Sequence, residues 1–360
     1  MRIAQIAPLM ESVPPKRYGG TERIVSYLTE ELVRAGHEVT LFASADSLTS
    51  AELRPMCDVG LRLAPPPKDP IAFHLLMLEQ VRRCAGDFDI LHVHVDLLHY
   101  ALLREHAACC PTTLHGRLDL PLLPRVYEIF DDFPLISISQ HQRLPVADAN
   151  WAGTVHHGLP VNLLPCSRKH DGYLAFLGRI SPEKRPDRAI EIAVRAGAHL
   201  KIAAKVDPAD AEYWEQKIQP LLKEAPNVEF IGEIDERQKA VFLCGAKALL
   251  FPIDWPEPFG LVMIEALACG TPVIAYNHGS VPEVIEEGVT GFLVKSIDEA
   301  VKRVDEVDRL NRAEIRRNFE RRFSAKRMAG DYVAIYQRML ALSTTTQRIF
   351  AVNGHYNAAL

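Results

Sequence analysis

The chain of 360 residues carries 48% hydrophobic and 24% charged side chains, close to the globular average, which argues against a disordered or fibrous protein. Lys+Arg 41 against Asp+Glu 46 leaves a formal charge of −5, so the chain-wide basic excess that a nucleic-acid binder needs is missing. The seven cysteines, at 57, 84, 109, 110, 166, 244 and 269, form no C-x-x-C pair and no zinc-like spacing, as expected of a reduced cytoplasmic protein.

Met1 to Pro8 lacks the charged and then apolar pattern of a signal peptide, and no run of about 18 apolar residues could span a membrane. In chain order, strands are predicted at Arg2–Ala7, Glu38–Ala43, Ile90–His94, Thr112–His115, Leu135–Ser139 and Thr154–His157. A helix over Thr21–Ala35 ends at Gly36. A second series begins with the strand Tyr173–Leu177 and a helix from Arg185-Pro186 to Gly197. The strands Leu200–Ala204, Val228–Ile231, Ala248–Phe251 and Val273–Tyr276 follow, separated by helices. Strands spaced by helices imply parallel βαβ units. Two α/β domains of doubly wound parallel sheet therefore fit the length.

The Pro-rich stretch 159–172 has little periodicity and marks the boundary, with domains expected over 1–163 and 164–328. A helix over 329–342 is expected to cross back to the first domain, and 343–360 to form a tail. The basic run Glu314–Met328 could meet an anionic membrane surface weakly. A solvated helix face with Ile315, Phe319 and Phe323 packed inward is the favoured reading.

The segment Phe251–Glu265 carries most of the chemistry. A strand ends at Phe251, three prolines stiffen a loop, and Gly260 opens a helix whose free N–H groups can hold a phosphate. Glu257 precedes that helix start and Glu265 lies inside it among apolar neighbours. Two carboxylates beside an anion site are poor phosphate ligands and good acceptors for sugar hydroxyls. Asp87-Phe88-Asp89 looks like an Asp-x-Asp metal motif but enters a strand. His92 and His94 share a strand face without an acidic or thiol partner at helpful spacing, so no metal is expected.

The ordered set Tyr18-Gly19-Gly20-Thr21-Glu22, His115-Gly116, Gly178-Arg179, Glu257 with Glu265, Cys269-Gly270-Thr271-Pro272 and Gly288-Val289-Thr290-Gly291-Phe292 resembles the retaining glycosyltransferases of family 4. That resemblance implies the GT-B fold, two Rossmann-like domains facing across a cleft, and a nucleoside-diphosphate sugar, UDP- or GDP-linked, as donor. It implies no cofactor, no metal requirement, a front-face mechanism, and a small-molecule, glycan or lipid-linked acceptor on the first domain.

By the same resemblance Glu257 meets donor-sugar hydroxyls and Glu265 the ribose, with Phe259, Gly260, Leu261 and Val262 offering nearby backbone. Arg179 and Lys184 would clamp the diphosphate, whose charge grows as the glycosidic bond breaks. Gly232 to Ile234 would lie near the base, Gly19 and Gly20 would meet the diphosphate or acceptor, and His115 would face the donor sugar. Lys205 stands where many relatives have a glycine-rich turn, as a third phosphate contact or a solvated charge. A sugar-nucleotide epimerase on the same plan is the alternative, although no second residue completes its acid/base pair. An NAD-dependent enzyme is disfavoured, because Pro8 to Gly20 lacks Gly-x-Gly-x-x-Gly.

Overall fold

The alternation of short apolar runs with helices builds two all-parallel sheets in the computed structural model, which describes residues 1–16, 19–66 and 68–356, the side chains of 343–356 excepted. One unit comprises 1–138, 143–156 and 325–360, and the other 139–142 and 157–324.

The first unit holds β1 (Arg2–Ile6), α1 (Gly20–Arg34), β2 (Glu38–Ala43), β3 (Glu52–Pro55), α2 (Pro70–Arg83), β4 (Ile90–Val93), β5 (Thr112–Thr113), α3 (Leu123–Ile129), β6 (Leu135–Ser137) and β7 (Trp151–Thr154). The strand order is β3-β2-β1-β4-β5-β6-β7, so the order reverses between β1 and β4. All four residues of β4, Ile-Leu-His-Val, are buried, as in a strand covered on both faces.

The second unit follows with β8 (Leu174–Ile180), α4 (Pro186–Arg195), β9 (Leu200–Val206), α5 (Ala211–Tyr213), α6 (Gln219–Glu224), β10 (Val228–Gly232) and α7 (Glu236–Gly245). It continues through β11 (Ala248–Phe251), α8 (Leu261–Ala268), β12 (Val273–Tyr276), α9 (Val281–Val284), β13 (Gly291–Val294), α10 (Ile297–Glu306) and α11 (Arg312–Phe323). Its order, β10-β9-β8-β11-β12-β13, reverses between β8 and β11. The chain then returns to the first unit through α12 (Ala325–Tyr356), whose Tyr332 and Tyr336 are fully buried there.

Several elements depart from the sequence-based expectation. The strand expected at Thr154–His157 is β7, three residues earlier: Trp151 and Thr154 pair with Leu135 and Ser137, and Val155 N ends the ladder by donating to Ser137 O (2.8 Å). The edge strand β3, Glu-Leu-Arg-Pro, carries no apolar run and β13 follows a turn motif, so neither was anticipated. The unit boundary falls at His156/His157, and the return begins at Ala325. Residues 157–164 are tied to α11, with Leu159 N donating to Phe323 O (2.9 Å) and Arg316 Nη1 to Leu164 O (2.9 Å). The stretch expected as a tail from 343 is helical through Tyr356, since no glycine or proline interrupts it before Gly354, and residues 357–360 lie outside the described residues.

The basic run packs its apolar residues inward as expected, and only part of its charge, Arg317, Arg321 and Lys326, stays exposed. Ile315, Phe319 and Phe323 are fully buried, and three arginines reach inward to close off carbonyl groups. Arg322 donates to Glu283 O (2.6 Å). Buried Arg312 donates to Ser167 O (2.8 Å), Ala246 O (2.9 Å), Cys244 O (2.9 Å) and Thr271 Oγ1 (2.7 Å). Removing one buried partner leaves the others unsatisfied at about 1–3 kcal/mol each. Arg312→Leu should therefore lower unfolding stability by roughly 3 kcal/mol or more. Urea titration checks this, and a loss below about 1 kcal/mol would mean that solvent replaces the guanidinium.

Candidate active site

In open parallel sheets, ligands bind outside the carboxyl ends of the strands where the strand order reverses. In the second unit that place is β8/β11, and it gathers the charged residues singled out in the sequence. Arg179 stands near the end of β8, and Lys184 follows in the loop before α4. Glu257 stands in the loop between β11 and α8, with 9% of its surface exposed. The Lys184 ammonium is ion-paired to Glu257 Oε2, which also accepts from Trp255 Nε1 (2.8 Å). The same ammonium sits 5.0 Å from the Trp255 ring centroid. Arg179 pairs with Glu183 and with Asp210 (3.2 Å). Each candidate phosphate cation is thus held by a carboxylate.

Local backbone fixes this arrangement. Gly260 caps α8 in the left-handed region (φ 78°), and no side chain caps the helix, so its N-terminal dipole is left for an anion. Gly279, also left-handed (φ 58°), packs under the Glu257 loop so closely that a Cβ would lie 2.4 Å from Glu257 N. Beside it, Ser280 N donates to Glu257 O (3.0 Å) and Ser280 Oγ to Phe259 O (2.9 Å). Asp254 N donates to Glu183 O (2.9 Å), which joins the loop after β11 to the loop after β8. Phe259 is buried, while Gly260, Leu261 and Val262 are half-exposed at the helix start.

The remaining candidates of this unit lie around that centre. Glu265, 6% exposed on α8, accepts from Lys239 Nζ of α7 (2.8 Å), which also bonds Glu236 (2.8 Å). Lys205 is the register partner of Arg179 on β9 and stands 3.5 Å from Asp207. Gly232 (φ 78°) ends β10 at the sheet edge, and Ile234 follows just before Asp235, which caps α7.

In the first unit, Pro8, Met10, Thr21, His74, His94, Val95, Asp96, Leu98, His115 and Gly116 line a pocket of about 360 Å3 at the β1/β4 reversal. His115 heads a hydrogen-bonded chain whose directions follow from chemistry. A carbonyl oxygen only accepts, so His94 Nε2 donates to Gln5 Oε1 (2.9 Å). With its proton on Nε2, His94 accepts at Nδ1 from His115 Nε2 (2.9 Å). The Tyr336 hydroxyl (2.7 Å) and, more distantly, Gln5 Nε2 (3.3 Å) donate to His92 Nδ1, His92 Nε2 donates to Thr113 Oγ1 (2.7 Å), and Thr113 to the Tyr332 hydroxyl (3.1 Å). Burial pulls His115 down to about 3 and holds His92 well below its ordinary value. Gly19 caps α1 without a side-chain hydrogen bond, and Gly20 begins the helix, exposed.

Similarity to known proteins decides the family. Residues 18–151 match Glycosyltransferase Family 4, and residues 167–324 match the Glycosyl transferases group 1 family. The chain belongs to the group 1/family 4 glycosyltransferases. It is 38% identical over 121 residues to a 41.2 kDa protein in the cps region of Klebsiella pneumoniae, covering 32% of this chain and 33% of that protein. Similarity to the phosphatidyl-myo-inositol mannosyltransferase of Mycolicibacterium smegmatis is 26% over 83% of this chain and 82% of the relative. Anabaena HepE, solved in complex with UDP, shares the fold at a TM-score of 0.71 and 17% identity, covering 96% of this chain and 100% of that one. GT-B architecture, two parallel-sheet units of Rossmann type, is thereby established.

Four residues of this glycosyltransferase gain a role from the structure, one of them, Gly279, already part of the family signature in the sequence. Lys239 and Trp255 hold the two glutamates, Gly279 supports the loop between them, and Asp96 lines the first unit's pocket in the left-handed region (φ 50°), its carboxyl pushed up by burial. A non-glycine residue held there stores strain of about 1–3 kcal/mol, a signal visible only in the backbone. The Asp87-Phe88-Asp89 motif is structural, since Asp89 accepts from Arg2 N (2.8 Å) and Arg2 Nη2 (3.0 Å). Among the described residues no group of three His, Cys, Asp or Glu side chains is placed to hold a metal ion.

His99, like His115, is pulled by burial from 6.5 to about 3. Between these values the unfolded chain binds protons that the folded one refuses. The stability contributed is whole above about 6.5 and is lost as pH falls toward 3, by about 1.4 kcal/mol per pH unit for each histidine. Urea midpoints should therefore drop between pH 7 and pH 5. A flat profile, or His115 ring resonances titrating near 6.5, would contradict neutral burial.

Proposed function

We propose that the chain is a retaining, metal-independent hexosyltransferase that moves a sugar from a UDP- or GDP-linked donor to an acceptor hydroxyl. The observation that carries this reading is the Lys184–Glu257 pair at the β8/β11 reversal, beside Arg179 and the uncapped start of α8. A diphosphate arriving there offers Lys184 and Arg179 a doubly charged partner in place of single carboxylates, and releases Glu257 to accept from sugar hydroxyls. Glu265, set by Lys239, accepts from the ribose, and Gly232 to Ile234 border the base. Lys205, one strand away from Arg179, is the third cation.

Bond cleavage places growing charge on the leaving phosphate, where fixed cations and helix N–H groups gain most. That accumulation makes a divalent ion unnecessary. No carboxylate is assigned as nucleophile on the far face of the sugar. The departing phosphate takes the proton of the incoming hydroxyl on the front face, which retains configuration.

The first unit's pocket takes the acceptor hydroxyl, with Asp96 as a hydrogen-bond acceptor. His115 stays neutral, so it orients sugar hydroxyls and adds no charge, while Gly19 and Gly20 leave room for phosphate or acceptor. The donor class follows the relatives, one named for mannosyl transfer and one solved with UDP. The family match favours transfer over epimerisation. No helix among the described residues is long and apolar enough to cross a membrane, and the free cysteines fit a cytoplasmic enzyme.

Calorimetric titration with UDP and with GDP, in EDTA, tests the assignment. Glu265→Gln should weaken the preferred diphosphate by about 1.5–3 kcal/mol, the value of a charged hydrogen bond. Glu257→Gln should leave that affinity unchanged or tighter, because it frees Lys184, while sugar transfer falls. Equal losses in the two variants, or binding that needs magnesium or manganese, would overturn the reading.

A further inference from the structure

The residue after Lys184 holds an uncommon backbone. Arg185 caps α4 in the left-handed region (φ 55°, ψ 50°), although it carries a β-carbon and precedes Pro186, each of which directs a residue elsewhere. Such a residue persists only where its surroundings over-determine it. Here the side chain supplies the constraint. Arg185 Nε and Nη2 fork onto Oδ1 and Oδ2 of Asp187 in the first turn of α4 (2.9 and 2.8 Å). Arg185 Nη1 donates to Asp254 Oδ2 in the loop after β11 (2.8 Å). Asp187 also accepts from the Tyr213 hydroxyl of α5 (2.8 Å), and Asp254 pairs with Arg188 (3.1 Å). An isolated surface pair holds little, whereas a forked guanidinium inside a network of charges holds its geometry well.

Main-chain bonds complete the frame. Lys184 N and Arg185 N both donate to Ser181 O (3.2 Å each), and Arg185 O accepts from Arg188 N (3.1 Å) and Ala189 N (3.3 Å). Asp254 joins the two loops twice, by its carboxylate to Arg185 and by its N–H to Glu183 O (2.9 Å). Glu183 and Arg185 flank Lys184, and Asp254 lies shortly before Glu257 in the same loop. The ammonium and the carboxylate that pair at the β8/β11 reversal therefore hang from one scaffold.

We infer that Arg185 is a positioning residue: clamped by Asp187 and Asp254, it holds the left-handed turn that sets Lys184 beside Glu257. Without the clamp, Arg185 relaxes toward the extended backbone that a residue before proline favours, and the chain leaves the 181–184 turn in another direction. Arg185 is not itself a phosphate cation, because each guanidinium nitrogen donates to a carboxylate. The value of the clamp for diphosphate binding rests on the function proposed above; the placement of Lys184 does not.

The test labels the full chain with a trace of acetic anhydride and reads each lysine by mass spectrometry. Lys184, paired with Glu257, and Lys239, paired with Glu236 and Glu265, should label slowly relative to exposed Lys223. Arg185→Ala should speed Lys184 labelling by about fivefold or more, the scale of one released backbone strain, and leave Lys239 unchanged. Asp254→Asn, at an exposed position, should act in the same direction, and it decides if Arg185→Ala does not fold. Arg185→Lys should label at Lys184 as fast as Arg185→Ala, since an ammonium has no fork. Unchanged labelling of Lys184, an equal rise at Lys239, or full protection in Arg185→Lys would overturn the proposal. Calorimetry separates it from the function. Failure of the unsubstituted chain to bind UDP or GDP counts against the proposed transfer, and the labelling still decides the clamp.

Discussion

Positive charge gathered at the end of β8 needs partners to hold it in place, and carboxylates supply them. Lys184 rests on Glu257, and Arg179 on Glu183 and Asp210. Most of the second unit's local structure serves that arrangement. The loop after β11 is stiffened by prolines, packed on Gly279, tied to Ser280 and joined through Asp254 to the loop that carries Lys184. On the proposed function, an arriving diphosphate would exchange one set of ion pairs for another, so the cations need not be drawn out of bulk water. Such an exchange costs less reorganisation than assembling charges at the moment of reaction.

The first unit solves a different problem with neutral groups. His115, His94, Gln5, His92, Thr113 and Tyr332 pass donated hydrogen bonds from one to the next. Each ring is fixed in one tautomer by its neighbour, which orients the imidazole facing the pocket without a charge. Buried networks of this kind hold geometry well when every member is satisfied. The two reversal points thus differ in chemistry, with paired charges in one unit and oriented neutral groups in the other.

Much of this was legible in the sequence, for physical reasons. β2, β11 and β12 were read with their bounds because apolar runs end abruptly at polar or turn residues. Glu257 and Glu265 stood out because one closes a proline-stiffened loop and the other interrupts an apolar helix. What escaped was pairing over distance. Lys184 and Glu257 are 73 residues apart, and Lys239 reaches Glu265 from another helix. Nor does composition reveal a left-handed aspartate at 96 or an arginine at 312 that serves four acceptors. Both are properties of the packed chain, and β3, charged and half-exposed, failed for the same reason.

The central claim is the exchange of partners at Lys184, and a crystal structure of the chain with UDP or GDP bound tests it most directly. The account predicts Lys184 Nζ within about 3.2 Å of a phosphate oxygen, with the Glu257 carboxylate released from it. A diphosphate bound elsewhere in the second unit, with the Lys184–Glu257 pair intact, would contradict it.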